Sequence, residues 1–467
     1  MSDVIEQIQG LVKALEASSY NAAPGTLVQG AALQVEDLST VMENVCFQDK
    51  ALILQKMLKI ESCKSTLAQF DRQLSYGIFG GSAQIEGGIG QEEVSDFVRC
   101  TVPMAYYSHT RRVTIVANMV ATVDGIKAEE RAASDAAKKL AGDVEFDCFR
   151  GLADFSNGGV FDGNPLSVAT LPNMHGLDLQ IRQSDSQRQT RDLMFAEFGS
   201  DDSVVISGGG TMTQDMIEDA HVRSAMNHGN AEKLVVDPKV LSAYNKLVFA
   251  KERIVLSGSA QGNTGGDLRK QYVSNGTVDI EASRFLSGKT RPAPTRALGP
   301  SAPTFSTTTP NASEAVSGAV TAFTAGQVYI YRVTAGTEVG ESVPAAAYSV
   351  TIGTTGDGVV LNITAGSGIS RYYNVYRTLA GGAVGSEKYI GRVNNTGTVS
   401  FTDLGNKLPG FVTGFLLEGD TMVLKELAPY SRLKLAVVDL SQPEASFRFL
   451  SLAVLQPRKN ALIDNLR

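Results

Sequence analysis

A run of glycines constrains this chain more than any other feature. Gly77, Gly80, Gly81, Gly87, Gly88 and Gly90 punctuate a stretch flanked by extended-looking text. The text that follows, VRCTVPMAYYSHTRRVTIVANMV, is rich in Val, Thr and Tyr and reads as long strand. The pattern predicts a two-stranded excursion over 73–108 with a glycine-rich tip. A lone ribbon of that length cannot cover its own faces and is marginally stable in water. It is therefore expected to lie on a neighbouring molecule.

The rest of the chain has room for a large core. Its 467 residues, at roughly 150 per domain, suggest about three domains. An apolar content of 43% with 19% charged residues is ordinary for a globular protein. A net charge of −7 argues against a dedicated nucleic-acid binder, whose phosphate affinity comes from clustered Lys and Arg. The charge-free apolar stretch Val113 to Val123 falls short of the roughly 20 residues a bilayer span needs, so no membrane role is expected. The start, MSDVIEQIQGLVKALEASS, lacks a signal-peptide pattern, and Cys46, Cys63, Cys100 and Cys148 form no CxxC pair. A soluble chain made in the cytoplasm, with reduced thiols, is the expectation.

Residues 1–35 hold a short helical piece, Val4 to Leu15, and then loose text, which suits an arm that packs on something else. Over 36–72 the pattern turns helical, with Leu54, Met57 and Leu58 on one face. A long helix is predicted over 125–153, because Ala133, Ala137, Leu140, Val144, Cys148 and Leu152 recur at spacings of four and three. Glu129, Glu130, Lys138, Lys139 and Asp143 fill a solvated side, and Asn157, Gly158 and Gly159 stop the helix. Between 200 and 250 a strand, a GGG turn, a helix over 213–227, a second strand and a second helix form an α/β module. Thr211 with Gln214 has capping-box spacing, Gly229 is read as a left-handed cap, and Asp237-Pro238 opens the second helix. Asn275-Gly276 marks a hairpin.

Composition changes at about residue 301. The segment 301–410 carries 12 charged residues in 110, against 79 in the remaining 357, and no Cys or His. VYIYRVTA, AYSVTI, VVLNIT, YYNVYRT, KYIGRV and TVSFTD are short strands separated by turn residues, which predicts an inserted β-sandwich. Its borders, TRPAPTRALGPSAPT and NKLPGF, read as linkers, and body-type strand text resumes at Phe415.

The candidates for chemistry read as structural. SGGGT at 207–211 precedes a helix but lacks a phosphate-loop ending, so it is a turn with a cap. His221 and His228 lie seven apart without a third metal ligand. His109 beside Tyr106 and Tyr107, and the pairs Glu92-Glu93 and Asp201-Asp202, assemble no known catalytic motif. The four cysteines are expected to be buried free thiols. No catalytic, cofactor-binding or metal-binding residue is expected, and no enzymatic role.

The order of parts is itself informative: arm, glycine-tipped excursion, Ala-rich helix, α/β module and closing strands. It resembles the major capsid proteins of tailed bacteriophages with the Hong Kong 97-type fold. The stretches ALQVEDLSTVMENVCFQDKALILQKML, QIEGG…VRCTVPM…RRVTIVANMV and FRFLSLAVLQPRKNALIDNL carry the resemblance, over about 350 residues. Through GQVYIYRVTAGTEVGES and RYYNVYRT, the insert resembles fibronectin type III or bacterial immunoglobulin-like domains.

The resemblance implies an α+β fold. Its parts would be an N-terminal arm at 1–35, a helical segment of the peripheral region at 36–72 and an extended β loop at 73–108. A peripheral domain with its spine helix would occupy 109–160, and an axial α/β domain with connecting strands 161–300. The immunoglobulin-like insert would occupy 301–410, and C-terminal peripheral and axial strands 411–467. The expected function is self-assembly, as hexamers and pentamers, into an icosahedral shell around a tailed phage's double-stranded DNA. The DNA would be held only non-specifically. The virion capsid is the expected location, with assembly in the host cytoplasm. Because the arm begins almost at Met1, a separate scaffolding protein is expected, along with a portal and decoration proteins. Another phage structural part, a tail tube or decoration protein, remains the alternative. A carbohydrate-active enzyme with an accessory domain is a further one, disfavoured by the absence of Trp.

Overall fold

The computed structural model describes residues 52–75, 83–90, 92–119, 126–151, 174–186, 203–249, 269–287, 300–311, 323–336, 341–355, 357–368, 370, 372–395, 399–405, 407–437 and 439–467. The expected arm at 1–35, Cys46, Leu152, the Asn157–Gly159 stop and Asp201-Asp202 lie outside these residues. Contacts divide the chain into two units. One takes Met1–Phe47, Arg111–Asp135 and Leu435–Pro443; the other takes Gln48–Thr110, Ala136–Lys434 and Glu444–Arg467. In the first, the Ile115 N–H donates to Leu440 O at 3.0 Å, and Arg112 pairs with Asp439 at 3.1 Å.

The larger unit is built on a six-stranded sheet. Its order is Val205–Gly210, Ala461–Leu466, Val412–Leu417, Lys233–Val236, Gly276–Ala282 and Lys270–Val273. The three strands Lys233–Val236, Val412–Leu417 and Ala461–Leu466 are almost wholly buried, as their mainly apolar text suits central strands. Leu234, Val235, Phe415, Leu416, Leu462 and Ile463 anchor one continuous core. The predicted α/β module is present, with helices at Gln214–Met226 and Pro238–Phe249. Three details of it differ from the sequence reading.

Thr213, not Thr211, caps the first helix, because it has the extended backbone a cap needs and its Oγ1 accepts the Met216 N–H. At the other end His228 takes the left-handed conformation, with φ +59°, rather than Gly229. Gly229 is required for closeness instead: a Cβ there would stand 2.6 Å from Ser224 Oγ and 2.9 Å from Lys459 Cα. The hairpin loop is Ser274-Asn275, one residue early, since Val273 pairs with Gly276 and the Glu218 carboxylate holds the Ser274 N–H.

The helical reading of 36–72 is corrected over its described part. Only Leu54–Met57 is helical; Lys59–Ser62 and the start of Leu67–Ser75 are strands. The one-turn spacing of Leu54, Met57 and Leu58 is real, but from Lys59 the chain pairs in parallel with Val423–Glu426. That strand opens a four-stranded sheet of order Lys59–Ser62, Met422–Lys434, Ser441–Val454, Ala105–Thr114. Pro429 falls in an irregular stretch of register between Ala428 and Ser431, a place where a residue without an N–H is tolerated.

The long helix runs Ala128–Arg150, shorter than predicted at both ends. It stops at Gly151, where a Cβ would lie 2.2 Å from Met174 O. Its buried stripe also shifts: Ala136, Leu140, Val144 and Cys148 are buried, while Ala133 and Ala137 are half-exposed. Leu140 is four residues from Ala136 and three from Ala137, so either alanine fits the period. Packing selects Ala136. Two acids on this helix that the sequence reading did not single out, Glu145 and Asp147, are buried as well.

Among the described residues of 301–410, seven strands form two sheets. Tyr348–Thr351, Val328–Gly336, Tyr372–Arg377 and Lys388–Asn394 make one; Val399–Asp403, Gly358–Thr364 and Thr304–Asn311 make the other. Residues of both sheets, among them Tyr331, Val333, Leu361, Ile363, Tyr373 and Val375, share a separate apolar cluster.

Candidate assembly surface

The excursion exists with shifted bounds: its paired strands begin at Leu67 and end at Pro103, and 105–108, predicted to belong to it, lie instead in the strand beside Ser441–Val454. Leu67–Ser75 pairs antiparallel with Asp96–Pro103, from Leu67↔Pro103 to Ser75↔Asp96. Burial along it is graded. At the root Cys100 and Val102 are fully buried against Ala453, with Phe70 and Val98 packed alongside. Arg72 pins the root: its Nε donates to Leu455 O at 2.6 Å and its Nη2 to Val454 O, with the guanidinium 5.1 Å above the Phe70 ring. Burial draws its pKa down to about 10.

Away from the root the apolar side chains have no cover. Phe97 is 63% exposed, Ile85 87%, Val94 88% and Ile89 93%. Gly87, with φ +83°, turns the chain at the tip, and the Gly88 N–H donates to Ile85 O at 2.8 Å. Each of these four large apolar side chains would gain free energy on being covered, at roughly 25 cal/mol per Å² of apolar area.

The residues weighed for chemistry are distributed rather than gathered. Tyr106 is exposed and packs edge-on against Phe449 at 5.1 Å. Tyr107, next along the strand and so on its other face, donates its hydroxyl to Asp147 Oδ2 at 2.7 Å. His221 is buried, whereas His228 is exposed at the helix end. Glu92 and Glu93 are exposed, as expected. Cys100 and Cys148 are buried free thiols; Cys63 is only half-buried. SGGGT splits between the end of a strand and the residues before the helix cap. Among the described residues, no group of three His, Cys, Asp or Glu side chains is placed to hold a metal ion, and no helix is long and apolar enough to cross a membrane.

Two buried acids escaped the sequence reading. Glu145 accepts the N–H groups of Ile53, Leu54 and Gln55 at 2.8, 2.7 and 3.1 Å, fastening the segment before the hairpin to the long helix. Burial raises its pKa against the opposing pull of those donors. Asp464 lies between Lys407 at 2.7 Å and Arg182 at 3.0 Å. Burial alone would raise its pKa, but the two cations outweigh it and hold it at about 2.

Among the described residues, then, the hairpin is buried at its root and exposed at Ile85, Ile89, Val94 and Phe97. No family model matches the chain. Its sequence is similar to the major capsid proteins of Staphylococcus phage S25-3 and Staphylococcus phage K, at 23% identity over 472 residues in each case. Both alignments cover 98% of this chain and 95% of the relative. Solved structures similar to it include the capsid of an empty GTA particle and that of cyanophage P-SCSP1u. Their TM-scores are 0.47 and 0.45, each at 10% identity, over 96% of this chain and 100% and 99% of the other. The chain is a capsid shell subunit.

Proposed function

We propose that this subunit self-assembles, as hexamers and pentamers, into the icosahedral shell around a tailed phage's double-stranded DNA. In that reading the hairpin of Leu67–Ser75 and Asp96–Pro103 is the extended loop. Ala128–Arg150 is the spine helix, the six-stranded sheet with its helices is the axial domain, and a separate scaffolding protein and a portal guide assembly. The observation that carries it is the burial gradient along the hairpin. The root is fixed in the subunit's own core, while Ile85, Ile89, Val94 and Phe97 are left open. A closed lattice repeats one heterologous contact many times, so an arm of this kind suits it. A net charge of −7 suits a container too, because a strongly basic wall would bind the packaged phosphates. Deleting residues 83–90 is expected to leave folded, soluble subunits that form no closed shells in negative-stain electron micrographs. Normal shells from that variant would refute the assignment.

The module at 301–410 is read as an immunoglobulin-like insert on the outer face. Its two sheets and separate apolar cluster support an independent fold. Expressed alone, 301–410 is expected to give a β-type circular dichroism spectrum and a single cooperative transition that reducing agents leave unchanged. A disordered spectrum would remove this reading.

A further inference from the structure

The text NKLPGF reads as a linker, yet its described residues are bonded on both sides. On the body side, Asp464 Oδ2 accepts from Lys407 Nζ at 2.7 Å, while its Oδ1 accepts from Thr413 Oγ1 at 3.0 Å and from the Asn465 N–H at 2.9 Å. The next residue, Asn465, adopts φ +60°, and its Oδ1 accepts the Leu408 N–H at 2.7 Å. Two successive body residues thus grip two successive residues of the exit segment.

The module grips the same segment from the other side. Lys407 O accepts from Arg377 Nη2 at 2.6 Å. The Nη1 of Arg377 pairs with Asp403, which also accepts the Tyr331 hydroxyl at 3.0 Å inside the module. Farther along, the Gly410 N–H donates to Tyr389 O at 2.7 Å, and the Tyr389 and Phe411 rings stack at 26°. Arg182 on the body holds Asp464 in place, itself braced by Asp178 at 2.8 Å.

We propose that Asp464 and Asn465 form a latch that holds the 301–410 module in one orientation on the body, so that it is presented rigidly rather than swung on a tether. A solvated hinge opens without breaking any of these bonds. This exit must break an ion pair and a backbone hydrogen bond together before Lys407 and Leu408 can move. The strength of such charge-assisted bonds in a half-buried place makes the opening rare.

Hydrogen exchange on the full chain tests the latch. Lys407→Met keeps the aliphatic stem and removes the charge. Asn465→Gly tolerates the positive φ and removes the side chain whose Oδ1 accepts the Leu408 N–H. The double variant is expected to speed exchange of the Leu408 amide by about tenfold or more, with the amides of Phe415 and Leu416 in the central sheet unchanged. Lys425→Met, which cuts the Lys425–Glu61 pair elsewhere, is expected to leave Leu408 unaffected. Parent-like exchange at Leu408 in the double variant would overturn the latch. So would an equal acceleration at Phe415 and Leu416, because the pair would then support the whole fold and not the exit.

Discussion

Glu145 Oε1 accepts the backbone N–H of Leu54 at 2.7 Å across 91 residues of chain. With the Ile53 and Gln55 amides on the same carboxylate, three donors at the start of a short helix are satisfied by one buried acid. A helix start leaves N–H groups without intrahelical partners, and burial forbids water from serving them. Glu145→Ala is therefore expected to cost about 3 kcal/mol, and Glu145→Gln, which keeps one acceptor oxygen, about half of that. Urea denaturation of the two variants checks the order. Equal losses would mean that the carboxylate is only a space-filler.

The stripe on the long helix gives a second test. Ala136 is buried and Lys139 exposed. Ala136→Leu adds three heavy atoms to a filled contact and is expected to cost about 1–3 kcal/mol. Lys139→Ala is expected to stay within about 0.5 kcal/mol of the parent. Thermal melts of the soluble subunit decide the matter; the reverse order would place the buried face on the other side.

The turn after Met226 separates two roles that glycine often combines. His228 holds a left-handed backbone that costs a side-chain-bearing residue about 1 kcal/mol, so His228→Gly is expected to be neutral or to stabilise by up to about 1 kcal/mol. Gly229→Ala drives a methyl into Ser224 and Lys459 and is expected to destabilise by about 1–3 kcal/mol. Melting temperatures moving in the same direction for both would contradict this division.

Acid provides a fourth. The Asp464 carboxyl has a pKa of about 2 in the folded chain against 3.8 when unperturbed. A depressed folded value means that the charged form stabilises the fold above the unfolded pKa, and that this support drains away as pH falls through about 4 to about 2. The contribution is about 2 kcal/mol. Stability of the parent measured against Asp464→Asn should converge over that window. A constant gap down to pH 2 would show that Asp464 is not the group being titrated.

Local chemistry made much of this legible. Alternating apolar text with turn residues between marks out the strands found within 301–410, and Ala and Leu spacing marks the long helix. What escaped depends on partners distant in sequence. Lys59–Ser62 is a strand because Met422–Lys434 lies beside it, a neighbour that no window around residue 59 contains. Glu145 carried a faint signal, a carboxylate beside Val144 and three places from Cys148 on an apolar stripe, but its donors are in another segment. The exit at Lys407 read as a linker for the same reason: Pro409 and Gly410 advertise a turn, while the residues that fasten it belong to the last strand.

The open half of the hairpin has a thermal consequence. In the proposed shell, covering Ile85, Ile89, Val94 and Phe97 on another copy would draw its free energy from released water, a driving force that is entropic near room temperature and fades on cooling. A shell joined through such arms gains cohesion as it warms from the cold and is most easily taken apart near freezing.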